Sequence, residues 1–559
     1  MSALAKYVPI VGWLPTYQKA YLRSDVVAGL TAAAVVIPQA MAYASIAGLP
    51  IQVGLYVALI PMAIYVLLGT SRPLSVSTTS SLALLTATAL TTAVGTVDSP
   101  TDYMVPAATL AFLVGLFLVL ASLFRLGFVA DFISLPVLTG FKGGIGVVIF
   151  VGQLPKVLGL SIPSGSVLQT LGAIAENLDQ INVPTVLLSL VMLAILLLLP
   201  RFVPRIPAPL VAVAAGIGVM ALSGDALGIA QIGTIPSGLP SFALPDSSLL
   251  GALWPSALGI ALMSFTESSA AARAFRHHGD PLPDANRELF ALGMANIGGS
   301  VFQGMPAGGG TSQTAINSDA GARTQIAQAA TVGVVVLTLV FLAPVISLMP
   351  EATLGSLMLV ASAGLIKPAQ LREMARVNRR EFIWALLAFF GVMTLGTLQG
   401  ILVAVVISIL TMMAEADRPP VYELGRKPEM GVFRPLTDHP DDETTPGLLI
   451  VRTEGRIYFA NASWLVQQLW QLVKQAKPQV LVLDGAAIPD FEYTALNALS
   501  ELEGQLRDAG VTLWLAELNP KAMRMVERSE IGKTLGHERM FVSLDEAVTA
   551  YGQRAATTQ

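Results

Sequence analysis

Two stretches of this chain carry hydrogen-bonding groups where almost everything around them is apolar. In GMPAGGGTSQTAIN, residues 304–317, three consecutive glycines end at Gly310 and are followed by Thr311, Ser312, Gln313 and Thr314. In SRPLSVSTTSSLALLTATAL, residues 71–90, Ser77, Thr78, Thr79 and Ser80 stand just ahead of an apolar run. Glycine denies the first stretch helix propensity and frees its backbone. Hydroxyls, an amide and bare backbone N–H groups donate hydrogen bonds without carrying charge, which suits holding an ion or a polar solute. A lone acid, Glu267 in MSFTESSAAARAF, and a lone base, Lys142 in GFKGGIG, lie inside other apolar runs.

The elements that must position these groups follow from composition. Over 559 residues the chain is 54% hydrophobic and 13% charged, with a mean hydropathy of +0.67. An average soluble domain is roughly 25% charged, so this is an α-helical polytopic membrane protein. The formal charge of -4 leaves no basic domain for nucleic acid. With Cys 0, disulfides and thiolate metal sites are excluded. Residues 1–25 mix Lys6, Lys19 and Arg23 with prolines and aromatics and read as a retained cytoplasmic lead-in, not a signal peptide.

Lys and Arg are missing from 73–124, 206–272 and 324–366, whereas the loops between hold Arg72, Arg125, Arg201, Arg205, RAFRHHGDPLPDANRE, Arg323 and KPAQLREMARVNRR. The positive-inside rule then orients about fourteen spans: 26–45, 51–68, 78–94, 104–123, 130–151, 184–199, 207–222, 252–271, 288–302, 312–322, 325–349, 352–366, 381–396 and 398–414. Both termini fall inside the cell, and the protein is placed in the cell membrane. The third and tenth segments are too short for a hydrocarbon core of about 30 Å, and read as half-helices seven spans apart that enter from opposite sides. The transport region, 26–416, is thus a 7+7 inverted repeat. After a linker at 417–446 the pattern turns to strand, helix, strand, helix over 447–553, a small cytoplasmic α/β domain, followed by a tail at 554–559.

Ser80 or Ser81 is the expected N-cap of the third segment, and Thr311 or Ser312 that of the tenth. Two such helix starts, converging near the membrane midplane, offer unpaired N–H groups and about half a positive charge each. The gap between them attracts an anion without any Lys or Arg.

The order of further motifs resembles the sulfate permease (SulP) family of anion transporters: PQAMAYA, AGLP, GLY and GTSRPLSV within 29–85, then GFKGGIGVVIFVGQLPKVLG, GMPAGGGTSQTAIN and a C-terminal domain similar to STAS. The resemblance implies a core domain of spans one to four and eight to eleven, a gate domain of the other six, homodimers, and an elevator-like motion of core against gate. It places Gln39 and Tyr43 beside the anion, with Ser77, Thr78, Thr79 and Ser80 capping it from one half-helix and Gly310, Thr311, Ser312, Gln313 and Thr314 from the other. Many members carry a basic residue where this chain has Gln313. That missing charge points to symport with a proton or sodium ion, because an uncompensated divalent anion is costly in low dielectric. Glu267, at the family's acidic position in the eighth span, is the expected coupling residue. An uncoupled channel or exchanger, and a nucleobase-type symporter of the same fold, are the competing readings. The anion is sulfate, a C4-dicarboxylate or bicarbonate.

The remaining features carry less. Lys142 is assigned no role, since a lysine in a span commonly snorkels. His277 and His278 in a basic loop read as polar surface and not as a metal site, and no cofactor is expected. Asn461 heads a glycosylation sequence that a cytoplasmic location would leave unused. Where a STAS domain commonly has a phosphorylatable serine, this chain has Thr494 as the nearby candidate; the domain is assigned to dimer support and to regulation by cytoplasmic partners. Residues 421–559 hold no nucleophile–base pair, zinc cluster or nucleotide loop, which argues against an enzyme.

Overall fold

The computed structural model describes residues 8–558 except 98, 129–133, 163–165, 204–205, 234, 277–279, 281, 396 and 428–429, and leaves undescribed the side chains of 16, 224–225, 397–398, 401–402, 404–405, 408, 412, 415 and 555–558. His277 and His278 lie outside the described residues. The chain divides into two compact units, Met1–Ser408 and Ile409–Gln559.

Between residues 22 and 417 a helix stands on each of the predicted spans. They are α1 (Leu22–Ile46), α2 (Gln52–Leu68), α3 (Ser80–Val94), α4 (Met104–Leu123), α5 (Leu135–Leu158), α7 (Val183–Phe202), α8 (Ala208–Ser223), α9 (Leu250–Ala274), α10 (Ala285–Ser300), α11 (Thr311–Asp319), α12 (Ile326–Leu337), α13 (Glu351–Ala363), α15 (Arg379–Leu395) and α16 (Thr397–Asp417). Two amphipathic helices lie outside the predicted spans, α6 (Val167–Glu176) and α14 (Pro368–Val377). Among the described residues, seven helical stretches are long and apolar enough to cross a membrane alone. On α7, Leu187, Leu190 and Leu197 face outward at 59%, 56% and 56% exposure; water would penalise that surface and lipid does not. Beyond α12 the chain passes through a π turn, Thr338–Leu342, just ahead of Pro344, whose ring removes a helical donor.

Packing sorts these helices into two groups. One comprises α1 to α4 with α9 to α12, the other α5, α7, α8, α13 and α15. Glycines set the closest approaches. A Cβ on Gly54 would lie 2.0 Å from the Ala40 carbonyl oxygen, and one on Gly140 would lie 1.9 Å from that of Ala385. Side chains there would push α2 off α1 and α5 off α15.

The second unit is a six-stranded sheet in the order β4-β3-β5-β6-β7-β8. Its strands are β3 (Val421–Lys427), β4 (Val432–Pro435), β5 (Leu448–Thr453), β6 (Val480–Asp484), β7 (Thr512–Ala516) and β8 (Met540–Phe541). Strands β5 to β8 run parallel, and β3 is antiparallel to β5 and to β4. Residues 421–427 and 432–435, assigned to a linker by sequence, are therefore two strands of the sheet; their mixed polarity gives no clean period-two signal. Helices α17 (Ala462–Ala476), α18 (Tyr493–Asp508), α19 (Pro520–Glu527), α20 (Glu530–Leu535) and α21 (Leu544–Thr558) complete it. Leu481, Leu483, Leu496 and Leu499 are core, as their spacing predicts. Asn461 is 1% exposed and its amide is fully engaged, accepting from the Tyr458 N–H at 2.9 Å and donating to the Ala416 and Arg456 carbonyls at 3.0 Å each. It is a structural residue, and burial alone rules out glycan attachment. Thr494 is exposed in the first turn of α18.

Asp490 receives Lys521 Nζ at 2.5 Å and Arg456 Nε at 2.8 Å. The Lys521 hydrogen bond, together with the Arg456 charge and against partial desolvation, holds its carboxyl below the usual 3.8. A depressed carboxylate stabilises the fold above its unfolded pKa and loses that contribution as pH falls through the folded value. Lys521→Met is expected to lower the unfolding temperature of this unit at neutral pH, with the difference from wild type closing below about pH 4. Thermal unfolding across a pH series measures it.

Candidate functional site

The two hydroxyl-rich stretches meet. Strand β1, Val76–Ser77, pairs antiparallel with β2, Gly308–Gly309, with Val76 opposite Gly309 and Ser77 opposite Gly308. Each strand then runs into a short helix, α3 of 15 residues and α11 of 9. At about 1.5 Å per residue neither spans the roughly 30 Å of a hydrocarbon core. Helix propensity fails at Gly308, Gly309 and Gly310, and β1 alternates Val76 with polar neighbours; pairing satisfies the backbone that would otherwise be orphaned.

A frame of buried polar groups fixes the crossing. Ser264 and Ser268, four apart on one face of α9, reach β2: Ser264 Oγ donates to the Ala307 carbonyl at 2.7 Å, and Ser268 Oγ accepts from the Gly309 N–H at 2.6 Å. Asn296 of α10 holds Ala307 from both sides, its Oδ1 accepting from the Ala307 N–H at 2.8 Å and its Nδ2 donating to the Ala307 carbonyl at 3.1 Å. Glu288, at the start of α10, accepts from Tyr65 Oη at 2.7 Å, Thr70 N–H at 2.8 Å, Thr70 Oγ1 at 2.5 Å and Ser71 N–H at 3.2 Å, and so pins the turn that leads into β1.

In front of the two helix starts lies a cavity of about 540 Å³. Of the residues expected to bind substrate, Tyr43, Thr79, Ser80, Gly310, Thr311, Ser312 and Gln313 line it. Ser77, Thr78 and Thr314 do not. Ser77 Oγ donates to Gln313 Oε1 at 3.2 Å, Gln313 Nε2 donates to the Thr78 carbonyl at 3.3 Å, and Thr314 Oγ1 accepts from the Ser75 N–H at 3.1 Å. These three sit in or behind the strand crossing, where they lock the half-helices to one another. Gln39 also lies outside the lining, with Oε1 buried and unpartnered among the described residues.

The caps differ from expectation. Thr79, not Ser80 or Ser81, is the N-cap of α3, its Oγ1 accepting from the Leu82 N–H at 3.3 Å. Gly310 takes that place on α11 with no side-chain cap, so neither Thr311 nor Ser312 caps the helix. The N–H groups of its first turn have no side-chain cap to receive them, which is the arrangement helix starts use for anions.

Glu267 faces the cavity at 4% exposure, accepting from Thr79 Oγ1 at 2.9 Å and Ser81 Oγ at 3.0 Å. Lys142 of α5 lies 3.5 Å from its Oε1 and lines the same cavity. The expectation of a site without Lys or Arg is therefore corrected. α5 turns Lys142 inward, and Lys367, ahead of α14, adds a second, exposed ammonium. Sequence carried one usable sign of Lys142, an ionisable residue inside a span, which is functional by default; Lys367, in a loop, carried none.

Paired half-helices fronting a polar cavity inside a helical unit with outward leucines define a membrane transporter whose cavity favours anions. The family profile described as Sulfate permease family matches residues 22–388, and the STAS domain profile matches 439–547. The chain belongs to the sulfate permease family; it is a transporter and not an enzyme. A Mycobacterium tuberculosis protein described as a probable sulfate transporter is 37% identical over 97% of this chain and 99% of its own length. High affinity sulfate transporter 2 of Stylosanthes hamata is 28% identical over 98% of this chain and 87% of its own. Among solved structures, the murine Solute Carrier 26 family member A9 anion transporter in the inward-facing state superposes with a TM-score of 0.89 at 23% identity, over 99% of this chain and 95% of that one. The transmembrane domain of the cyanobacterium bicarbonate transporter BicA gives 0.60 at 23% identity, covering 70% of this chain and 98% of that one. At these identities the two structures establish the fold alone.

Proposed function

We propose that the protein carries a small anion, sulfate before a C4-dicarboxylate or bicarbonate, together with a proton or sodium ion. The observation that carries the reading is the cavity into which two helix starts, Lys142 and Glu267 converge. Helix-end half-charges and an ammonium favour an anion, and relatives similar along nearly their full length are described as sulfate transporters. Glu267, a buried acid inside a membrane span that faces the cavity, is the coupling residue, and Tyr43, Thr79, Ser80, Gly310, Thr311, Ser312 and Gln313 contact the substrate. Movement of α1–α4 with α9–α12 against the other helices would carry the site across the bilayer. Homodimeric assembly, cytoplasmic termini and regulation through the second unit belong to the same proposal.

The test is labelled uptake into proteoliposomes, comparing sulfate, fumarate and bicarbonate under an imposed pH or sodium gradient. Wild type should accelerate with one of the gradients; Glu267→Gln should lose a proton-gradient stimulation of at least about tenfold while staying folded. Stimulation that survives in Glu267→Gln removes this residue from coupling. A current that reverses at the anion's equilibrium potential regardless of gradient favours a channel.

A further inference from the structure

We propose that Lys142 sets the preference for divalent over monovalent anions, and that its ammonium is shared: it rests on Glu267 in the substrate-free cavity and turns to the anion when one binds, leaving Glu267 to take a proton from bulk water. The proposal rests on the reading of the cavity as an anion site.

Position comes first. Helix α5 is pressed onto its neighbours through glycines: Cβ atoms would meet the Ala385 carbonyl oxygen at 1.9 Å from Gly140, the Phe389 carbonyl oxygen at 2.7 Å from Gly144, and the Ser362 carbonyl oxygen at 2.7 Å from Gly146. Lys142, two residues from both Gly140 and Gly144, lies across the helix from those two contacts, and Gly146, four residues on, packs one turn away on its own side. Close packing therefore fixes the lysine's backbone and directs its side chain at the cavity, where it is 22% exposed.

Bonding comes second. The 3.5 Å separation from Glu267 Oε1 is longer than the roughly 2.7–2.9 Å of a charge-assisted hydrogen bond. Glu267 is already held by Thr79 and Ser81, so it does not need the lysine to stay in place. An ammonium with three donors and one loose partner retains capacity for another acceptor.

Charge comes third. Two helix starts offer about half a positive charge each, enough for one negative charge and short of two. Lys367 also borders the cavity but is exposed, where water screens it. The half-buried Lys142 supplies the remaining charge, and does so from the helix group opposite to the one bearing the half-helices.

The surroundings of Glu267 make the linkage specific. Of the elements packed on α9, α3, α4 and β2 carry no ionisable residue, while α10 carries Arg287 and Glu288 and α11 carries Asp319, none of which lines the cavity. Tyr43, Lys142 and Lys367 are the other ionisable groups of the cavity lining. Losing Lys142 to an anion thus removes the cation paired with Glu267 among the described residues, and in the proposed cycle a proton from bulk water takes its place.

The test is anion binding to the purified full-length protein, sulfate against nitrate, with a parallel measurement of protons taken up on binding in weak buffer. Lys142→Gln and Lys142→Met should weaken sulfate at least about tenfold more than nitrate, and proton uptake on sulfate binding should fall towards zero. Lys142→Arg should stay within about threefold of wild type in the sulfate-to-nitrate ratio, since charge is kept. An unchanged ratio in either neutral variant overturns the selectivity role; proton uptake that persists in both overturns the shared-ammonium step. Because binding is read without a gradient, the result is separable from coupling. If Glu267→Gln transports with wild-type pH dependence, Glu267 is removed from coupling, while the selectivity ratio still judges Lys142.

Discussion

Gly309→Val is expected to reduce anion uptake by at least about a hundredfold, the scale on which a displacement of about 1 Å at a reacting or binding centre acts. A Cβ at Gly309 would lie 2.7 Å from Leu74 Cδ1 and 3.0 Å from the Ser268 backbone Cα, and valine adds two further carbons. The leucine can turn aside but the α9 backbone cannot, so β2 must lift away. Lifting it breaks the Gly309 N–H bond to Ser268 Oγ and the Val76–Gly309 pairing, and draws the start of α11 out of line with that of α3. Overpacking of this kind costs about 1–3 kcal/mol, which a membrane bundle survives, so folded but inactive protein is the outcome sought. Gly152→Ala is the control, because a Cβ there meets nothing within 4 Å. Uptake per unit of monodisperse protein decides it. Activity within a few-fold of wild type in Gly309→Val would show that the crossing tolerates widening and does not hold the site's geometry.

Glu288→Leu carries the largest expected loss of stability. The carboxylate is 2% exposed and accepts from Tyr65 Oη, the Thr70 N–H and hydroxyl, and the Ser71 N–H. Leucine is of similar bulk and accepts none of these. Thr70 can rotate its hydroxyl, but the Tyr65 hydroxyl and the two amides are left in an apolar interior at about 1–3 kcal/mol each, a total on the order of 4 kcal/mol or more. Glu288→Gln keeps one carbonyl acceptor and should lose less. The thermal midpoint in detergent measures both. A midpoint for Glu288→Leu equal to wild type would mean that the 69–71 turn is held by something other than this acid. The consequence reaches the site, since that turn delivers the chain to β1.

The chemistry was only partly legible in the residues. That Thr311, Ser312 and Gln313 border a cavity could be read from glycine followed by uncharged donors in an apolar chain. That Thr314, Ser77 and Thr78 turn to the strand crossing could not, because a strand of two residues is too short to show a period, and its partner lies more than two hundred residues away in sequence. The cap of α3 falls one residue ahead of the expected serines, at Thr79, where one hydroxyl does both jobs, donating to Glu267 and accepting from Leu82. Lys142 stands out in the sequence as a base inside a span, but the spacing of one helix says nothing of what faces it.

Composition and local order fixed the solvent and the inventory. Apolar lengths called for lipid, basic residues alternated between loops, two segments came out too short to cross, and a second unit announced itself by a change to alternating strands and helices. These properties depend on neighbours in the chain, so the chain suffices to read them. Which donors reach the cavity, which acid meets which base, and that residues 421–427 and 432–435 belong to a sheet were settled only by tertiary structure. Those outcomes depend on atoms brought within a few ångströms from remote parts of the chain, a distance that no local pattern encodes.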